Sequence, residues 1–151
     1  MSQAETMRTM PWITWLDLDT ELAADGTVRA ALRRPKPEHL NHNGHVNAAV
    51  AYGVAEVAGA GAAVLAAGPS SADAYTVIRT GTIEYRRPAR DGITATSQVD
   101  EATAQRSREL LVAGDGADID VEVVLEDAAG EATGRCTFVV SLRPRRAPTV
   151  D

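Results

Sequence analysis

Across residues 46–72 the only charged side chain is Glu56. Its neighbours are almost all Ala, Gly and Val. An ionised carboxylate in a dry interior costs on the order of several kcal/mol unless it is paired or hydrogen-bonded. The segment must therefore bury its flanks while leaving this acid on a wet face or at a working site. Ala is the best helix former, so the run predicts a long helix over 46–67, with Asn43 or Asn47 able to cap its start. Gly53, Gly59 and Gly61 oppose helicity in isolation and are kept mainly where a neighbour comes close. That predicts a helix packed on a sheet, ended at Gly68–Pro69. Residues 46–68 would be long enough to cross a bilayer. A central acid costs about 2.5–3.5 kcal/mol on membrane-insertion scales, and Ala and Gly offer little to offset it. A membrane partner is not expected.

The flanking sequence reads as strands. Residues 12–21 and 27–34 are predicted as a pair joined by a tight turn at Asp25–Gly26, and Pro35 and Pro37 end the second. Strands are predicted at 75–87, with a bulge at Gly81, and at 92–100. In 117–126, Ile119, Val121, Val123 and Leu125 alternate with Asp118, Asp120, Glu122 and Glu126. In 131–143, Ala132, Gly134, Cys136, Phe138, Val140 and Leu142 share a face. Residues 104–114 read as strand plus loop. The order is ββαββββ, and short connections favour antiparallel pairing around one helix, an α+β arrangement. The length of 151 residues fits one domain over 11–144, between a flexible N-terminus at 1–10 and a flexible tail at 145–151.

A net charge of −6 disfavours nucleic acid, which is gripped through basic surface; the basic exceptions are the pairs Arg33–Arg34, Arg86–Arg87 and Arg145–Arg146. Cys136 is the one cysteine, so no intrachain disulfide forms, and its place on an apolar strand face marks it as a small core residue. The first ten residues have neither a basic start nor an apolar run, from which a cytoplasmic location is expected. His39, His42 and His45 are spaced by three, but no Cys or carboxylate joins them at ligand spacing, so no metal is expected.

The run Asn41-His42-Asn43-Gly44-His45-Val46-Asn47-Ala48-Ala49 followed by Glu56 resembles the loop-and-helix signature of the hot-dog fold acyl-CoA thioesterases, of the 4-hydroxybenzoyl-CoA and phenylacetate-degradation type. Tyr85-Arg86-Arg87-Pro88-Ala89 and the run from Asp127 to Glu131 are similar to the superfamily's strand-and-turn pattern, so the resemblance covers about 12–143. Asn41 and Gly44 fall on loop positions and Glu56 on the helical acid. Departures are Asn47 where His is common, Ala48 and Ala49 for a Gly pair, and Ala60 for a hydroxyl residue. The resemblance implies a sheet of about six strands wrapped around a central helix, and hydrolysis of an acyl-CoA or acyl-carrier thioester. Glu56 would be general base or nucleophile, the Ala48 amide at the helix start would polarise the carbonyl, and Asn41 would orient water or thioester oxygen. Asn47 stands beside them. Gly44, His45, Tyr52, Arg86 and Arg87 are candidates for holding substrate, the Arg pair through coenzyme A phosphates. Trp12 and Trp15 are read either as acyl-pocket walls or as core.

No cofactor is implied beyond coenzyme A as part of the substrate. Eight residues separate Ala48 from Glu56, about 12 Å along one helix, too far for both to reach one carbonyl. The resemblance places the two on different subunits, implying a homodimer with shared sites, or a dimer of dimers. Two alternatives stand beside hydrolysis. One is a hot-dog protein that binds acyl-CoA without turnover. The other is hydration of enoyl thioesters, ranked last because no Asp lies in 38–47.

Overall fold

The structure is a computed structural model describing residues 3–145. A six-stranded sheet, all antiparallel, wraps around one long helix in the hot-dog arrangement. The strands are β1 (Asp19–Leu22), β2 (Val28–Leu32), β3 (Ala74–Tyr85), β4 (Ile93–Ser97), β5 (Ala117–Asp127) and β6 (Ala132–Pro144), in sheet order β1-β2-β4-β5-β6-β3. The helices are α1 (Gln3–Thr9), α2 (Pro11–Leu16), α3 (Ala48–Ala67) and α4 (Glu101–Val112).

Helix α3 forms where the Ala-rich run predicts it. The Asn47 side chain accepts from the Ala49 amide at 2.9 Å, and the helix stops at Gly68, φ 61°, ahead of Pro69. Its apolar side chains pack on β2, β4, β5 and β6 with Val54, Ala55, Ala58 and Ala62 fully enclosed or nearly so. A Cβ at Gly59 would lie 3.0 Å from Phe138 Cδ2 and 3.2 Å from Val123 Cγ2, so this glycine lets helix and sheet close up. By length and hydropathy α3 and the turn after it could cross a membrane, yet 61% of that window is buried inside the fold. In β5 the expected alternation holds, with Ile119, Val121, Val123 and Leu125 buried. In β6 Gly134, Cys136, Phe138, Val140 and Leu142 are buried, whereas Ala132 at the strand start is exposed.

Four readings are corrected. The segment 12–21 is not one strand. Pro11 starts helix α2, which buries Ile13 and Leu16 and ends at Asp17 in the left-handed region (φ 56°), and only Asp19–Leu22 pairs with β2. Within 1–10, expected to be irregular, α1 spans Gln3–Thr9 and Met7 packs against the core. Within 104–114, residues 104–112 belong to α4 and 113–114 to the turn after it; the helix is capped by Asp100, which accepts from the Thr103 amide at 2.9 Å, and Ala104, Ser107 and Leu111 form its buried face. The β3 bulge falls between Ile78 and Thr80 rather than at Gly81. The tail expected over 145–151 lies, apart from Arg145, outside the described residues.

Candidate active site

The loop before α3 is held by its own hydrogen bonds. Leu40 bridges Val46, and the Asn47 amide donates to the His39 carbonyl at 2.8 Å. Asn41 Oδ1 accepts from the amides of Asn43 (2.9 Å) and His45 (3.1 Å), and the Gly44 amide donates to the Asn41 carbonyl at 3.0 Å. Gly44 has φ 73°, a conformation that glycine adopts without strain. Asn41 thus commits its acceptor to the loop and keeps its side-chain NH2 without a partner among the described residues. A helix leaves its first amides unsatisfied. Asn47 takes that of Ala49 and leaves that of Ala48 open.

This loop forms one wall of a cleft of ≈320 Å³ that brings together Asn41, His45, Ala48, Arg86 and Arg87. Two residues missed in the sequence join them. Tyr85 donates its hydroxyl to the Ala48 carbonyl at 2.7 Å, tying the end of β3 to the helix start. Thr133 is buried, and its Oγ1 has no hydrogen-bond partner among the described residues. Nothing in the sequence around Thr133 signals the cleft, since it reads as an ordinary strand residue. The Arg pair is already engaged. Arg86 forks onto Glu84 at 3.1 and 3.2 Å, while Arg87 faces Asp127 (3.8 Å) and Glu131 (3.6 Å). Exposed pairs of this kind are screened by solvent and hold weakly, so a phosphate can compete for them. Arg79 and Arg143 both donate to Asp118.

Glu56 is elsewhere. It lines a second cavity of ≈500 Å³ with Trp12, Val57, Ala60 and Ile78, and the two cavities share no residue. Glu56 is half-buried and has no hydrogen bond or ion pair among the described residues; burial pushes its carboxyl above the ordinary carboxylate range. Tyr52, one turn earlier, has its hydroxyl raised by burial and then by the Glu56 charge. Its ring meets Phe138 edge-on at 5.4 Å, and its hydroxyl reaches the β3 backbone where Gly81 leaves room. Trp12 and Trp15 stack at 5.4 Å.

The three histidines diverge. His39 is fully buried, its Nδ1 accepting from the Lys36 amide at 3.1 Å, whereas His42 is exposed. Among the described residues no three His, Cys, Asp or Glu side chains gather. Cys136 is buried, and burial pushes its thiol up to about 11, which leaves little thiolate at neutral pH.

An open loop-to-helix cleft and a helical acid, on one hot-dog frame, define the class of this protein. The chain belongs to the family described as a domain of unknown function, DUF4442, whose model matches residues 5–142. Among curated proteins none matches. Several solved structures share the fold. A Pseudomonas aeruginosa protein of unknown function, described as a "probable thioesterase", is 22% identical with TM-score 0.78, over 95% of this chain and 97% of its own. A Chlorobaculum tepidum protein of unknown function is 15% identical with TM-score 0.81, over 95% and 92%. A Haemophilus influenzae thioesterase is 10% identical with TM-score 0.73, over 97% and 92%.

Proposed function

We propose that the protein is a thioesterase that hydrolyses an acyl-CoA or acyl-carrier thioester at a site shared by two protomers. The observation that carries this reading is Glu56: a carboxyl raised by burial, on the wall of a cavity, with no hydrogen bond or ion pair among the described residues. Burial makes such a group a stronger base than a free glutamate. Thioesterases among the structural relatives support the same class.

The chemistry follows from the parts. Glu56 takes a proton from water as the water oxygen attacks the thioester carbon; the alternative is direct attack by the carboxylate through an anhydride. The open Ala48 amide donates to the carbonyl oxygen as it gains charge, aided by the positive end of α3. The free NH2 of Asn41 holds the same oxygen or the water, and the thiolate leaves with the proton. Gly44 turns the loop, His45 lines the cleft, and Arg86 and Arg87 exchange their carboxylates for coenzyme A phosphates. Within one protomer the acid and the amide stand about 12 Å apart along α3. A second copy, bringing its loop cleft to this Glu56, supplies the missing half. The protein is thus read as a homodimer, without a cofactor of its own.

Glu56→Gln is expected to lower turnover by about 10²–10⁴ while the dimer persists; near wild-type turnover would remove Glu56 from the mechanism. A second reading, acyl-CoA binding without turnover, is favoured by Asn47, which commits its side-chain oxygen to the Ala49 amide. Calorimetric binding of acyl-CoA with no thiol released would select it.

A further inference from the structure

The larger cavity lies between α3 and the N-terminal arm formed by α1 and α2. Its ≈500 Å³ falls within the roughly 300–1,000 Å³ of small-ligand sites. The arm presses on α3 at two points. A Cβ at Gly53 would lie 2.7 Å from Trp12 Cζ2, and one at Gly61 would lie 3.0 Å from Met7 Cε. Between and beside these tight points Val57, Ala60 and Val64 line open space at helical spacing. The arm is therefore packed as closely as glycine permits where it touches, and hollow where Ala60 keeps its side chain short. Met7, Met10, Ile13, Val57, Val64 and Ile78 give the lining its apolar part, with Met7 and Met10 on the arm side, while Glu56, Thr76 and Arg145 add polar groups. Methionine adapts its shape to a flexible guest. The one aromatic ring in the wall, Trp12, already has a face covered by Trp15, with only 11° between the planes. That leaves no pair of rings to sandwich an aryl group.

We propose that this cavity takes the acyl part of the substrate as a flexible aliphatic chain. Met7 and Met10 of the arm and Ala60 of α3 set how long a chain fits. The inference rests on the thioesterase reading for its head group, and it names the substrate class of that same site.

S-alkyl-CoA thioethers, from butyl to tetradecyl, carry the chain but have no acyl carbon to hydrolyse. Titration calorimetry of the full chain with this ladder is expected to show affinity rising about fourfold per buried methylene up to a limit. Ala60→Leu and Val64→Phe are each expected to weaken decyl-CoA at least about tenfold more than butyl-CoA, by filling the hollow. Met7→Ala is expected to move the limit to longer chains. A flat ladder would overturn the proposal. So would folded Ala60→Leu and Val64→Phe variants that bind decyl-CoA as the wild type does, or a phenethyl thioether that binds more tightly than octyl. Because nothing is hydrolysed, these outcomes are independent of the Glu56→Gln turnover test, and either result can fail alone.

Discussion

Glu56 carries a charge that no described side chain balances, and this has a thermodynamic sign. Burial holds its carboxyl above the ordinary range, so the folded chain keeps the proton at a pH where the unfolded chain has lost it. Stability from this group is greatest below the ordinary carboxylate range, falls as pH rises through it, and levels off above the raised value. Glu56→Gln is therefore expected to melt higher than wild type near pH 8, with the gain shrinking near pH 4, as thermal unfolding at both values will read. The same raised value sets the acid limb of activity, since a general base must be ionised to work. Turnover is expected to rise with pH through a value above that of a free glutamate, a limb that Glu56→Gln abolishes. The position of Glu56 was legible in sequence because isolation in an apolar run is a one-dimensional pattern. The burial of His39, against Trp15 of α2, and that of Thr133 were not, because both depend on which segments the fold brings alongside.

Among the elements, legibility tracked period. Helix α3 and strands β5 and β6 have long, clean apolar patterns, and they stand where the sequence placed them. Helix α4 has no such stripe. Its buried face is Ala104, Ser107 and Leu111, small or polar apart from the last, so a helix hid among charged residues. The usable signal was Asp100 followed by Thr103, a cap read only locally. Asp100→Ala is expected to lower the unfolding midpoint while leaving the sheet intact, because the Thr103 amide loses its acceptor. Helix α2 was missed because its six residues carry too little period to outvote the β-prone Trp and Ile residues; Pro11 at its first turn was the overlooked mark.

At the scale of the molecule, β3 stands out. It is the longer of the sheet's two end strands, 12 residues long, and exposes Tyr75, Val77 and Tyr85 along its length. A long apolar edge is a template for pairing with another chain. If the proposed dimer forms through this edge, Val77→Lys is expected to shift sedimentation equilibrium toward monomer and to lower thioester hydrolysis with it; an unchanged dimer would move the interface elsewhere. The split of the site along α3 has a further consequence. If each centre takes its acid from one copy and its amide cleft from the other, two dead proteins should rescue one another. Unfold and refold Glu56→Gln together with an Asn41→Ala chain, and every hybrid pair holds one centre with both defects and one with neither, so activity absent from either parent returns in the mixture.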